Sequence, residues 1–322
     1  MYDTPSTLLL SRTAESAYWA GRYLERAEGT ARLIKTHSEF VIDLPRSARV
    51  GWAPLLAVVG VDSDFAQLHP EINEEIVVGH LASNAANTSS IRASIGAVHR
   101  NLRVVRSVMP VEGAEVLTEL YHHVEDTADQ AIDRRTRGAW LTSVMRGCQT
   151  LSGILGETMS HDDAYCFFTV GRQLERADLM ARVLDVQAGL LKSQDDGVLA
   201  PYAATFWHAA LRSVSALQAF RRQGRASTAE AILAFLIHDP KCPRTVECCL
   251  IETSRWLLEI PGHEPAMAAC ASITQMLQEA DIDSLVGGSL HLFAEDLQAA
   301  VAGLHDCVEQ SWFTPANAAV VA

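Results

Sequence analysis

Apolar residues recur three and four positions apart along nearly the whole chain, and no run of alternating β-branched residues interrupts them. That spacing lines one face of an α-helix. It predicts helices over 8–43, 70–82, 89–108, 112–134, 137–159, 161–192, 202–222, 227–238, 244–260, 265–281 and 289–312. Between them, "DLPRSARVG", "SQDDGVLAP", "HDPKCPR" and "IPGHEP" collect proline, glycine and aspartate, the residues that stop helices and form turns. "SHDD" at 160–163 reads as a helix start, with Ser160 as the cap and Asp163 three residues on. The tail "TPANAAVVA" (314–322) is expected to be disordered. The fold class is all-α.

Two of these helices carry nearly the same charged phrase. "GRYLERAEGTARLIKT" (21–36) and "GRQLERADLMARVLDV" (171–186) agree at eight of sixteen positions without a gap, and four of the eight are charged. With a shift of 155 instead of 150, Trp52 falls on Trp207, Leu81 on Leu236, Ile91 on Val246 and Leu102 on Leu257. The expectation is a tandem duplication with halves 1–160 and 161–322, packed as one helical bundle about a pseudo-twofold axis, with the two long helices at its centre. The period is far too long for a solenoid.

Projected at about 100° per residue, Ala20, Leu24, Ala27, Ala31 and Ile34 gather on one side of the first phrase. Glu15, Trp19, Arg22, Glu25, Arg26 and Gly29 gather opposite; the second copy presents Arg172, Glu175 and Arg176, with Phe168 in place of Tyr18. Three readings of the charged face stand open. It is a solvated surface, or a buried lattice in which each glutamate receives the other copy's arginines, or a site for an anion. Buried ion pairs fix geometry because removing one partner strands a charge. Four arginines against two glutamates would let a carboxylate or phosphate bind bidentately, with Trp19 as a wall or as a cation–π brace.

Composition narrows the function. The 322 residues are 48% hydrophobic and 20% charged, as in globular chains, and the formal net charge is −13. Such a chain is not expected to bind nucleic acid or an anionic membrane through a global field. Only Lys35, Lys192 and Lys241 are lysine among 26 basic residues. Seven cysteines without a CxxC pair read as buried thiols, and the N-terminus has no signal-peptide pattern, so a cytoplasmic location is expected. Glu119 and His122 have the i,i+3 spacing of a di-metal bundle site, but a second such pair is missing. His123 and Glu125 complete no geometry, and His161, Asp162 and Asp163 suit a helix start. No metal site, cofactor or catalytic fingerprint is expected, and "LVGGSL" (285–290) reads as a turn.

"LLSRTAESAYWAGRYLERAEGTARLI" (9–34) resembles the opening of the alpha-E domain family, an all-helical bacterial family named for an "ER" pair. The likeness continues through "GWAPLLAVVG" (51–60), "NLRVVRSVMP" (101–110), "MSHDDAYCFFTVGRQLERADLMARVLDV" (159–186), "FLIHDPKCPRTV" (235–246) and "SWF" (311–313). Cys242 departs from the asparagine usual before that proline. The resemblance implies a partner of circularly permuted ATP-grasp ligases, with transglutaminase-like peptidases in the same neighbourhoods. The implied system forms peptide amides with ATP, and this chain would bind the ligase, or an anionic peptide or small carboxylate. An enzyme of the same pathway, with Glu25 or Glu175 as acid and base, and a pure scaffold are the alternatives. Carried over, the candidate ligand residues are Trp19, Arg22, Glu25, Arg26, Arg172, Glu175 and Arg176, then Asn101, Arg103 and Arg106, and Arg244.

Overall fold

The structure, a computed structural model, describes residues 11–45, 50–192 and 200–314. Among them there is no β-strand. In chain order the first helices are α1 (Ser11–Asp43), α2 (Ala53–Val59), α3 (Asp62–Leu68), α4 (Glu74–Ala82), α5 (Ile91–Val104), α6 (Val111–Thr127) and α7 (Arg134–Thr158). The chain continues through α8 (Asp163–Lys192), α9 (Ala203–Ser213), α10 (Leu217–Arg222), α11 (Ala229–His238), α12 (Val246–Leu257), α13 (Glu264–Glu279), α14 (Ile282–Ser284) and α15 (Leu290–Val308). The expected disordered tail, apart from Thr314, lies outside the described residues.

α1 and α8 form the centre and make the most extensive contact in the molecule. Two glycines allow it. A Cβ on Gly21 would lie 2.0 Å from the Phe168 carbonyl oxygen, and one on Gly171 would lie 2.1 Å from the Tyr18 carbonyl oxygen. The backbones therefore touch where any side chain would collide with peptide groups. The remaining helices surround this crossing. α5 and α7 pack on α1, α12 and α15 pack on α8, α2 lies on α8, and α9 lies on α1. α1 is consequently buried on both its apolar and its charged side, including Arg22, Glu25, Glu28 and Arg32. This removes the solvated-surface reading of the charged face.

Local chemistry sets the helix boundaries. Asn73, Ser90, Asp133 and Thr228 cap α4, α5, α7 and α11 by accepting from the backbone N–H of Ile76, Ala93, Arg135 and Ala231. α8 begins at Asp163, and Asp162 accepts from the Ala164 N–H at 3.0 Å, so Asp162 takes the capping role expected of Ser160. The expected helix over 202–222 breaks into α9 and α10 at Ser215, which has φ 57°. α2 and α3 are too short for the apolar period to show; α2 ends on Gly60 in the left-handed region at φ 74°. The "LVGGSL" segment is a wide turn that leads directly into α15, with Gly288 at φ 134°.

Candidate functional site

The two phrases meet face to face at the crossing, and each glutamate takes its arginines from the other helix. Glu175 Oε2 accepts from Arg22 Nε at 2.6 Å, and Oε1 accepts from Arg26 Nε at 2.5 Å. Arg26 Nη2 adds a second bond to Oε2 at 3.0 Å. In return, Arg176 Nε lies 2.9 Å and Arg172 Nη2 3.7 Å from Glu25 Oε2. The loop ahead of α12 adds Arg244, whose Nη1 donates to Glu25 and whose Nη2 donates to Glu28 Oε1 at 3.0 Å.

A second tier continues the lattice along both helices. Glu28 also accepts from Arg32 Nη2 and from Gln149 Nε2. On α8, Asp178 pairs with Arg182 at the same i,i+4 spacing, 3.3 Å apart, and stands 3.9 Å from Arg22 Nη2. Beyond Arg22, Tyr18 is fully buried; its hydroxyl accepts from Arg22 Nη1 and bonds His305 Nδ1 at 2.8 Å. The Arg22 guanidinium sits 5.8 Å from the Trp19 ring centroid, which makes Trp19 a cation–π brace.

The charges inside the crossing act strongly on one another. Burial alone would raise the pKa of Glu25, but Arg176, Arg244 and Arg172 overcome it and hold the carboxyl well below its usual range. Burial likewise opposes ionisation of Glu175, and Arg26 and Arg22 still bring it down to about 2. Arg22, Arg26 and Arg244 keep raised pKa values because their glutamates outweigh the cost of burial. Arg172 behaves oppositely: burial, then the neighbouring Arg176, lower it to about 10. The Glu25 end of the lattice thus sets four arginines, Arg32, Arg172, Arg176 and Arg244, against two carboxylates. Among the described residues, Arg172 Nε and Arg32 Nη1 are buried without a hydrogen-bond partner, and Arg176 Nε has only its ion pair with Glu25 Oε2.

The structure brings Trp19, Arg22, Glu25, Arg26, Arg172, Glu175, Arg176 and Arg244 together. It does not bring in Asn101, Arg103 and Arg106. They sit in and just beyond the last turn of α5, Arg103 and Arg106 are exposed, and no described ion pair ties any of the three to the lattice. Sequence reasoning missed Glu28, Arg32, Asp178 and Arg182, although the 150-residue shift carries Glu28 onto Asp178 and Arg32 onto Arg182. It also missed His305, which with Asp306 and Glu309 forms a group whose ligand atoms lie within 4.8 Å of one another. Glu119 and His122 are exposed on α6. Cys242 is buried, and the backbone N–H there donates to Asp239 Oδ1 at 2.7 Å.

The centre of the molecule is therefore two Glu-Arg dipeptides, 25–26 and 175–176, each locked into the other. The sequence profile described as Alpha-E, a predicted alpha-helical domain with a conserved ER motif, matches residues 9–313. The chain belongs to the Alpha-E family. It is also similar to the uncharacterized proteins Mb2597 of Mycobacterium bovis and MT2643 of Mycobacterium tuberculosis. Each is 22% identical over 319 residues, spanning 91% of this chain and 35% of the relative. The Alpha-E chain thus covers about a third of the length of those relatives. No solved structure matches it. Among the described residues, no helix is long and apolar enough to cross a membrane.

Proposed function

We propose that this Alpha-E chain is a binding component of an ATP-grasp amide-ligase system and holds a carboxylate of an anionic peptide at the Glu25 end of its lattice. The observation that carries the reading is the imbalance there. Arg32, Arg172, Arg176 and Arg244 share two carboxylates, Glu25 and Glu28, and among the described residues Arg172 Nε and Arg32 Nη1 lack a hydrogen-bond partner. Buried donors of this kind are costly until an acceptor reaches them, and a carboxylate matches a guanidinium in both charge and shape. Arg172 keeps 18% of its side chain exposed, which gives an incoming anion a point of entry. The ligase partner follows from the family resemblance, and a cytoplasmic setting goes with it. Tandem duplication belongs to the same reading, supported by the reciprocal glycine contacts and by the exchanged arginines.

The enzymatic alternative is weaker. Glu25 and Glu175 are held ionised far below neutral pH, whereas an effective general acid or base titrates near its working pH. Arg172→Met separates binding from scaffolding. Titration calorimetry with an acidic peptide, and co-purification with the ligase, should show at least a tenfold loss while the melting temperature changes little. A lowered melting temperature with unchanged affinity would leave only the scaffold.

A further inference from the structure

The lattice has two ends, and the side chain that the flanking loop supplies differs between them. At the Glu25 end, the loop ahead of α12 inserts Arg244 between Glu25 and Glu28. At the Glu175 end, the loop ahead of α5 holds the corresponding place with the same construction. Asn84 Oδ1 accepts from the Ala86 N–H and Asp239 Oδ1 from the Lys241 N–H, both at 3.0 Å. Ser90 then caps α5 where Thr245 stands ahead of α12. The register that places Ser90 on Thr245 places Ser89 on Arg244.

Ser89 is too short to reach the carboxylates, and a cavity of about 140 Å³ lies beneath it. Its polar wall is Arg26, Thr30, Ser89, Glu175, Asp178 and Arg182. Arg26 turns its Nε and Nη2 onto Glu175, and Arg182 lies against the Gly60 backbone, where a Cβ would come within 2.3 Å of its Nη1. Asp178 is the under-used group. It receives one hydrogen bond among the described residues, from Arg182, whereas its counterpart Glu28 receives three. A carboxylate offers about four acceptor positions.

We propose that this cavity is a binding site for a small organic cation, a guanidinium or primary ammonium group, held by Asp178 and Glu175 as Arg244 is held by Glu28 and Glu25. The molecule itself displays the recognition at its other end, with a guanidinium seated between two carboxylates. The site takes a cation from a free amine or from the end of a basic side chain. It stands apart from the anion site of the proposed function, so Arg172→Met should leave it intact.

Titration calorimetry of the full chain with methylguanidinium and with propylammonium tests the proposal, using acetate and inorganic phosphate as opposing probes. Saturable binding of a cation is expected. Ser89→Arg should abolish it by placing the chain's own guanidinium in the cavity, and Asp178→Asn, a change of charge with little change of shape, should weaken it at least tenfold. N-acetylarginine amide against methylguanidinium tells whether a basic side chain is admitted. Tighter binding of N-acetylarginine amide supports the proposal, and so does binding of methylguanidinium alone. The proposal is overturned if neither cation binds, if Asp178→Asn leaves affinity unchanged, or if acetate or phosphate is the ligand that Ser89→Arg displaces.

Discussion

Glu25 and Glu175 hold the same register on two crossing helices, yet three arginines surround the first and two the second. At the Glu25 end Arg244 stands between the two carboxylates; Glu25 is wholly buried and Glu28 nearly so. At the Glu175 end, Asp178 is shorter than Glu28 by one methylene, Arg182 is 33% exposed where Arg32 is 6%, and the 140 Å³ cavity remains. The contrast teaches that the same ER phrase serves two purposes. One copy has Arg244 seated between its carboxylates, and the other has a cavity in the corresponding place.

The strongest way to break this comparison is to part the helices that both ends share. Gly171→Ala would drive a Cβ into the Tyr18 carbonyl, and backbone contacts cannot yield as a flexible side chain can. A loss of about 3 kcal/mol or more is expected, read by thermal or chemical unfolding; a near-normal melting temperature would show that the close crossing does not set the lattice.

Next comes removal of each glutamate's charge. Glu25→Gln leaves three buried guanidinium groups without their shared anion and should cost about 3 kcal/mol or more. Glu175→Gln should cost less, since two arginines are released next to a cavity that water can enter. Equal losses would remove the distinction between the ends. Acid supplies an independent reading. A carboxylate whose folded pKa is depressed contributes stability above its unfolded value near 4.5 and loses it as pH falls toward the folded value of about 2. The wild type should therefore lose stability steeply between about pH 4.5 and 2, and Glu175→Gln should flatten that slope.

Arg244→Ser sharpens the comparison by giving the Glu25 end the residue found at Ser89. It should cost about 2 kcal/mol, and added methylguanidinium should recover part of the loss, as seen in melting temperature. The smallest effect is expected outside the lattice. Arg103→Ala, on the exposed end of α5, should change stability by no more than about 0.5 kcal/mol.

The all-helical fold and the long helices α1 and α8 were legible because apolar periodicity persists over many turns. α2 and α3 escaped because seven residues hold too few turns to show a period. The break between α9 and α10 escaped because a serine, and not a glycine, takes the left-handed conformation there. The charged face was visible as a repeated phrase, but its burial was not, since a helix projection shows which residues share a side and not what covers that side. Arg244 was found through the family segment. Ser89 went unnoticed because a short polar residue becomes informative only when an arginine stands in the same place at the other end.

The crossing also sets an order of events during synthesis. α1 leaves the ribosome well over a hundred residues before α8, and Arg244 follows later still. Until both arrive, Glu25 and Glu28 have no distant arginine to meet, and α1 must stay hydrated. The central contact of the molecule is therefore among its most delayed, a long-range closure of the kind that slows folding and leaves partly made chains open to misassembly. A fragment that ends before α8 would carry Glu25 without any of its three arginines, and Arg22 and Arg26 without Glu175.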